Sequence, residues 1–525
     1  MSGENNLNTL GKSLVSQLKA LESGDSVSEK DSKNQLINVA GVGSLVSSAY
    51  EQLRNAAEYS QDHLLIQNAI RRFFARNLFL LDNPKLERGI AEELIIELTQ
   101  SGYLKNNSQS VAVIDKIFKI VKKYYSLYEE LNHSRLDNKL IKDWSLDLIS
   151  IGCESILIDS QKQTIFGQFA YRHYLNSLNK KSFAKTKKEQ DSFEASLYIA
   201  VHKSLLESDL AFIRYDMNNL YKISTKDVEA FIQFNNNIDL MYSSGMTLKL
   251  TRYINRYGAP LRVIRSMIRG SKDLVGVLSD KTKFKKIFTE QIQLEYKTAR
   301  AKLNSGLIKS IAFLLITKSL IGLAVEVPYD IFINGEVKLI PLLINLISPV
   351  VYLAVLRLGI KTPGKTNAKA ILNYAEEMFY GEDTGSNLYP AVKEKKYPIG
   401  FKIAYGLMFV IVFGLVTNLL MRLNFDFVQG VIFFIFLAAA SFLGFRLSRI
   451  VKELELVAAK QGAVSTIRDF FFMPFTFLGK WISDKYQKVN IVALVLDTFI
   501  ELPLKTVLRL IRQWTGFIDE KRDSF

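Results

Sequence analysis

Cysteine is almost absent from this sequence. The 525 residues include one cysteine, Cys153, so an internal disulfide is excluded, and this usage suits a reducing compartment. Its neighbours are mostly apolar (ISIGCESIL), which favours a small core side chain over a reactive thiol.

The histidines are few and scattered, without the spacing of metal ligands: His63, His133, His173 and His202. The sequence therefore predicts neither a metal centre nor a bound cofactor.

Proline is rare in the first part of the chain, where only Pro84 and Pro260 precede residue 300. Because proline breaks helices, long helices meet little interruption there. From Ser110 to Leu131 apolar residues recur every three or four positions with charged residues between them, as in an amphipathic helix. The sequence predicts an all-α fold, with a flexible polar tail over residues 1–48 and a cytoplasmic helical domain over residues 49–300.

Four apolar runs follow, each about long enough to cross a bilayer, which takes roughly 20 helical residues. They lie at about 307–327, 339–356, 403–421 and 427–445, and the last three contain no charged residue. They predict a four-helix transmembrane domain over residues 301–450. Cytoplasmic or interfacial helices are expected over residues 451–525.

The first run carries charges, at Lys309, Lys318 and Glu326. A central lysine costs ~2.5–3.5 kcal/mol on insertion scales, whereas each Leu, Ile, Val or Phe returns ~0.3–0.6 kcal/mol. Twelve such residues lie in this run, so insertion is favoured. Placing the runs at equal depth puts Lys318 near Asn345, and Glu326 near Arg422 at the outer surface. These groups could line an ion or solute path or form a polar clamp between helices, which we favour.

Basic residues in the links between the runs set the orientation. The link between the second and third runs carries eight basic residues, whereas the other two links carry one each, Lys338 and Arg422. Basic loops remain on the cytoplasmic side of a membrane. The sequence therefore predicts a multi-pass integral membrane protein with both termini in the cytoplasm.

Acidic residues are scarce just before the first run. Between Lys249 and Lys302 there are 14 basic and four acidic residues, within a net charge of +16. Arg262, Arg265 and Arg269 share one helical face beside apolar residues, a pattern typical of a helix resting on anionic lipid headgroups. A solvated basic face that obeys the positive-inside rule fits equally well. No nucleic-acid-binding signature accompanies the charge, which disfavours that class of partner.

Two further segments follow the last run. Phe470–Trp481 is rich in aromatic rings, which suits the membrane interface or packing on the soluble bundle. In Asn490–Trp514 the charged residues form one stripe at steps of three or four. The stripe predicts an amphipathic helix half-sunk in the interface, with packing on the N-terminal bundle or a fifth crossing as alternatives.

Residues 359–366 (GIKTPGKT) match the phosphate-loop pattern, in which Gly364, Lys365 and Thr366 would hold a nucleotide. That loop requires a preceding strand of a parallel sheet, whereas an apolar run precedes it here. Pro363 also removes one N–H from the turn. A basic turn at the inner end of a crossing is the favoured interpretation.

Two classes of function remain, because no nucleophile elbow, metalloprotease helix or dinucleotide fingerprint points to an enzyme. In the first, the crossings anchor the helical domain, which binds or organises protein partners at the membrane. In the second, the crossings form a transporter or channel, as a homo-oligomer, because four helices alone enclose little space. Nucleotide binding through residues 359–366 is a third, weaker alternative.

Overall fold

The structure is a computed structural model that describes residues 7–28, 36–39, 44–58, 64–79, 86–158, 160–271, 273–382, 398–457, 463–488 and parts of 501–518. Within these ranges every regular element is a helix, and the single extended pairing is an isolated bridge between Leu36 and Ser110. The predicted all-α class is confirmed.

The helices are numbered in chain order. The first half contains α1 Thr9–Ser28, α2 Ser44–Glu58, α3 Leu65–Leu78, α4 Gly89–Gln100, α5 Val111–Asn132, α6 Asn138–Leu157, α7 Gln161–Ser177, α8 Lys180–Phe183, α9 Lys187–Asp191, α10 Phe193–Val201, α11 Leu210–Leu220, α12 Val228–Tyr242 and α13 Gly245–Tyr257. The second half contains α14 Ala259–Gly270, α15 Leu274–Ser279, α16 Lys281–Ile321, α17 Val327–Asn334, α18 Leu339–Gly359, α19 Lys365–Tyr380, α20 Ile399–Arg422, α21 Phe427–Lys452 and α22 Ala463–Lys488. Two π-helical turns, His202–Leu206 and Gly322–Glu326, interrupt the regular helices.

The chain divides into two compact units. The span unit consists of Met1–Ser13, Arg172–Phe183 and Arg252–Val489, and the bundle unit consists of Leu14–Tyr171, Ala184–Thr251 and Asn490–Phe525. The predicted division placed boundaries at residues 48, 300 and 450 instead. Helices α14 and α15 thus group with the apolar helices, and residue 501 and its described neighbours group with the bundle.

In the bundle unit, the apolar spacing of the sequence explains which faces are buried. The predicted amphipathic helix is α5, and Ile114, Ile117 and Val121 lie in the core at 3% exposure or less. An aspartate begins several of the helices, because its carboxylate accepts the free N–H groups of the first turn. Asp137 caps α6 and Asp209 caps α11 in this way.

Within the segment predicted as a flexible tail, residues 1–48, residues 9–28 form helix α1. Its Leu14, Leu18 and Leu21 are spaced by four and three residues and are buried. Apolar residues at that spacing fall on one helical face, so burying the face outweighs the polar composition of the segment.

In the span unit, four helices are long and apolar enough, by length and composition, to cross a membrane. They are called the spanning helices on that ground alone. The first is longer than predicted: α16, the π-turn at 322–326 and α17 form one continuous helix, Lys281–Asn334, of 54 residues. The basic stretch from Lys281 to Lys302 is therefore part of the first spanning helix and not a separate element. The others are α18, α20 and α21, and α18 continues through Pro349.

The apolar surface of these four helices remains largely uncovered by protein. In the most apolar window of each helix, only 17% to 44% of the residues are buried, with α20 the lowest. The residues that are buried, such as Leu353, Val412 and Ala440, pack together at the centre of the unit.

Helix α22 contains the aromatic segment Phe470–Trp481, and the placing of this segment at the membrane interface stays a prediction. The segment is helical through Pro474 and packs on spanning helices α20 and α21. Phe475 is buried against the rings of Phe413 and Phe434. A side chain at Gly479 would collide with the backbone carbonyl of Ala438, so a residue without Cβ allows this close approach.

Gly479→Ala is therefore expected to push α22 away from α21 and destabilise the span unit by about 1–3 kcal/mol, the usual cost of overpacking. The matched control is Gly406→Ala on α20, where a Cβ would meet no atom within 4 Å. Thermal unfolding in detergent measures both variants. Equal midpoints for the two variants would contradict the close packing of α22.

Candidate functional site

A buried ion pair lies inside the first spanning helix. Lys318 Nζ is 2.7 Å from Glu326 Oε1, and the two side chains are 2% and 0% exposed. In a regular α-helix, residues eight apart point about 80° away from each other, because each residue turns the helix by about 100°. The π-turn at 322–326 turns the chain less per residue. It thereby brings Lys318 and Glu326 onto one face.

Asn345 joins α18 to this pair. Its Nδ2 donates to Glu326 Oε2 at 2.9 Å and to the backbone carbonyl of Gln429 at 3.3 Å. Asn345 is fully buried, and among the described residues its Oδ1 has no hydrogen-bond partner. The ring of Phe436 lies 4.6 Å from Lys318 Nζ, a distance at which the face of an aromatic ring attracts an ammonium group.

Asp330 lies one helical turn beyond Glu326 and is also fully buried. Gln429 Nε2 donates to its Oδ1 at 2.8 Å and to its Oδ2 at 3.0 Å, and the backbone N–H of Lys338 donates to Oδ2 at 3.1 Å. Gln429 is held in place by a capping box with Asp426 at the start of α21. Asp330, on α17, is therefore fixed by α21 and by the residue that precedes α18.

The network reaches the turn after α17 through a more exposed pair. Lys338 Nζ lies 2.8 Å from Asp426 Oδ2, and both side chains are about one quarter exposed. Asn334 Nδ2 donates to the same carboxylate oxygen at 2.8 Å. Hydrogen bonds thus connect the partly exposed turn at 334–338 to Lys318. We call the set Lys318, Glu326, Asp330, Asn345 and Gln429 the span network.

The structure brings together three of the four intramembrane residues that the sequence singled out: Lys318, Glu326 and Asn345. The fourth, Arg422, is exposed at the end of α20, so the expected contact between Glu326 and Arg422 is wrong. The π-turn directs the Glu326 carboxylate to Lys318 instead. Asp330 and Gln429 were missed, although Asp330 follows Glu326 by four residues and D-x-x-Q at 426–429 is a capping-box pattern.

The headgroup candidates lie on α14. Arg262 is half-buried, and its guanidinium donates to the backbone carbonyl of Glu453 and to Asn255 Oδ1, each at 2.9 Å. Arg265 is half-buried and Arg269 is exposed. The apolar residues of α14 are covered by protein, with Ile264 and Met267 at 4% exposure or less. This helix therefore has no free apolar face to sink into a bilayer.

The phosphate-loop candidates lie at the start of α19. Gly364, Lys365 and Thr366 are exposed, and the spanning helix α18 precedes them where the motif would need a strand. The next residue, Asn367, is buried and makes four hydrogen bonds, with Tyr296 and with the backbone of residues 454, 456 and 457. These contacts give the turn a structural role in fixing the chain after α21.

The bundle unit contains a second group of buried charges, around the C-terminal segment. Glu501 lies 2.7 Å from Arg76 and 3.3 Å from Arg72, and Lys505 lies 3.4 Å from both Glu51 and Glu97. Three cations thus face three carboxylates. Burial raises the pKa of Glu97, but the neighbouring Arg76 and Lys505 outweigh it and the pKa is lowered overall.

The sequence predicts a stripe of charged residues over Asn490–Trp514. Two of its members, Glu501 and Lys505, lie against the other helices of the bundle unit in these contacts. The two residues are 4% and 7% exposed, so they do not face a lipid surface. Asp497, Arg509 and Arg512 lie outside the described residues. Packing on the N-terminal bundle, one of the three alternatives for residues 490–514, is the one that these contacts support.

His202 lies in the core of the bundle unit, at the start of the other π-turn. Its Nε2 is 4.0 Å from Asp216 Oδ2, which also accepts a hydrogen bond from the Tyr198 hydroxyl. Burial lowers the pKa of His202 to about 3, so the ring is neutral at pH 7. We assign this cluster to packing, because the histidine is 3% exposed. In the described part of the chain, no three His, Cys, Asp or Glu residues are grouped as metal ligands.

Comparison with known proteins adds no relative. No family model, no curated protein and no solved structure matches this chain.

Lys318→Met is expected to destabilise the span unit by about 3–5 kcal/mol, because it leaves the Glu326 carboxylate buried without its cation. The double variant Lys318→Met/Glu326→Leu should recover much of the loss, since an apolar pair can replace a buried ion pair at little cost. Thermal unfolding of the two single variants and the double variant gives the coupling free energy.

The matched control is Lys309→Met, an exposed lysine on the same helix, which should unfold like the parent. Additive losses in the double variant would show that the two side chains do not interact.

Proposed function

We propose that this chain is an integral membrane protein in which four spanning helices anchor a cytoplasmic helical bundle that binds or organises partners at the membrane. The observation that carries the proposal is the uncovered apolar surface of four long helices. An apolar surface of this extent is stable in lipid or in contact with a partner. Within the described spans, the buried charged side chains Lys318, Glu326 and Asp330 lie together in one network.

The ion pairs of the C-terminal segment support the placement of both ends on one side. Glu501 pairs with Arg72 and Arg76, so residue 501 and helix α3 must lie in the same compartment. The chain between them therefore crosses the membrane an even number of times. Four crossings satisfy this condition, whereas α22 as one additional full crossing would violate it.

The basic residues support the cytoplasmic side as that compartment. The link between α18 and α20 and the stretch 249–302 carry most of the excess positive charge, whereas the turn at 335–338 carries one lysine and one glutamate. By the positive-inside rule, the basic segments remain in the cytoplasm. Anionic headgroups are then the lipid partners nearest to Arg265 and Arg269.

Cysteine labelling tests this topology, and the single buried Cys153 leaves little background. In a Cys153→Ser parent, Glu336→Cys in the turn after α17 should react with a membrane-impermeant maleimide added to intact cells. Lys361→Cys, also exposed, should react only after permeabilisation. Reversal of this pattern would overturn the topology, and extraction of the protein by alkaline carbonate would overturn membrane insertion.

The span network favours a second function, a transporter or channel. Ionisable side chains inside spanning helices commonly mark ion or proton paths, and here they connect the bilayer interior to the outer turn. For this function, liposomes containing the parent should show ion flux that Lys318→Ala abolishes and Lys309→Ala retains. If the parent and both variants show no flux, the network acts as a clamp between helices, and the anchoring function is supported.

A further inference from the structure

We propose that the exposed side of α20 is a dimer interface, at which two copies of this chain pair through parallel α20 helices. The inference deepens the proposed function and rests on it, because it requires the spanning helices to lie in a bilayer. Three observations on α20 carry it: a regular exposed seam, one carboxamide within that seam, and two glycines that face open space.

One side of α20 packs on the protein, and the opposite side is exposed. Met408, Val412 and Leu420 are buried on the packed side. The exposed side carries residues at alternating steps of four and three, which are Gly400, Ala404, Leu407, Ile411, Gly414, Asn418 and Met421. Mostly apolar residues at this spacing form the seam along which two helices pack in a coiled coil. We call these seven residues the α20 seam.

Asn418 is the polar member of the α20 seam. It lies four residues before Arg422, which is about 6 Å along the helix axis inside the end of α20, and it is exposed. Hydrocarbon offers no hydrogen-bond partner to a carboxamide. In spanning helices, asparagine side chains form hydrogen bonds across helix pairs. The position of Asn418 therefore favours a second helix as the cover of this side of α20.

A second copy of the chain supplies the matching group at the required depth. Copies that insert in the same direction are related by a two-fold axis along the membrane normal, so their α20 helices run parallel and Asn418 of one copy faces Asn418 of the other. Each carboxamide has donors and an acceptor, so each Nδ2 can donate to the opposite Oδ1. In the heptad pattern Asn418 occupies an a position, where a single asparagine specifies register and oligomeric state.

The glycines of the α20 seam would allow the two backbones to approach each other. A Cβ at Gly400 or Gly414 would meet no atom within 4 Å, so packing within the chain does not require glycine at either position. Small residues let the backbones of paired spanning helices come close together. Gly414 lies about one turn before Asn418 and would bring the helices together where the two carboxamides meet.

Other covers of the α20 seam meet fewer of these conditions. Lipid tails would cover Leu407 and Ile411 but would leave the carboxamide of Asn418 without a partner. A protein of different sequence would need a polar group of its own at the depth of Asn418. A second copy meets this condition without any further requirement.

Cysteine cross-linking in native membranes tests the interface. In a Cys153→Ser parent, Ile411→Cys should form a covalent dimer when a membrane-permeant oxidant is added, because the Cα atoms of the two copies would lie within the ~7 Å that a disulfide spans. The matched control is Leu419→Cys. Leu419 is 56% exposed and Ile411 is 50% exposed, but Leu419 lies about 100° around the helix from Asn418. This control should remain a single chain.

Energy transfer between labelled copies in liposomes, followed as the lipid-to-protein ratio rises, gives the dissociation constant of the dimer. Asn418→Leu should raise this constant about tenfold, as expected for the loss of an interhelical hydrogen bond. Gly414→Leu should raise it too, because its side chain would separate the two backbones. Gly406→Leu should leave it unchanged, since Gly406 lies outside the α20 seam and a Cβ there also meets no atom within 4 Å.

A covalent dimer from Leu419→Cys and none from Ile411→Cys would overturn the interface. Equal dissociation constants for Gly414→Leu and Gly406→Leu would do the same. A parent that stays a single chain at every lipid ratio would show that lipid covers the α20 seam, and the dimer would be wrong. Carbonate extraction is a separate measurement: a protein that carbonate removes from membranes fails the insertion proposal, whereas an inserted single chain fails only the dimer.

Discussion

An ammonium group inside an apolar helix must find an opposite charge, and this requirement organises the span unit. Lys318 meets its carboxylate only because the helix widens into a π-turn before Glu326. The same turn sets the direction of α17 and therefore of Asp330. Asn345 and Gln429 then follow as the side chains that α18 and α21 must present to buried carboxyl oxygens. Removing the π-turn would leave a cation and two acids on diverging faces.

Charge pairing plays a corresponding part in the bundle unit. Buried ion pairs contribute little net stability, but breaking one is costly, so they select which segments can meet. Glu501 and Lys505, four residues apart, match an arginine pair and a glutamate pair on α2 to α4. A helix end with only apolar residues could pack on the bundle in several registers. Because Glu501 and Lys505 carry opposite charges at a fixed spacing, only one register pairs both of them.

The sequence predicts correctly those features of the fold that depend on one helix alone. Apolar runs, three of them without a charged residue, predict the four helices that are long enough to cross a membrane, and the three-and-four spacing predicts α5. The sequence also predicts that Lys318 points into the bundle toward Asn345, and Lys318 is buried there. Its partner could not be predicted correctly, because equal-depth placement assumes a regular helix and the π-turn has no signal in the sequence.

Tertiary contacts account for the other differences. The polar composition of the first residues predicts a tail, because the apolar face of α1 consists of only a few leucines. The aromatic residues of α22 suit an interface by composition, and only the contact between Gly479 and the α21 backbone places the helix against spanning segments. In the sequence, Gln429 and Asp330 are polar residues near helix ends. Their contact arises only from the tertiary packing of the helices.

The continuity of the helix Lys281–Asn334 has a mechanical consequence. At about 1.5 Å per residue its 54 residues extend roughly 80 Å, whereas a bilayer core is about 30 Å thick. In the proposed membrane insertion, a large part of the helix therefore projects beyond the lipid as one rigid rod. A tilt of about 10° around its Asn334 end would displace the opposite end by roughly 14 Å, by the same rise per residue. A small rotation of the helix at Asp330 would thus become a displacement of several ångströms at its Lys281 end.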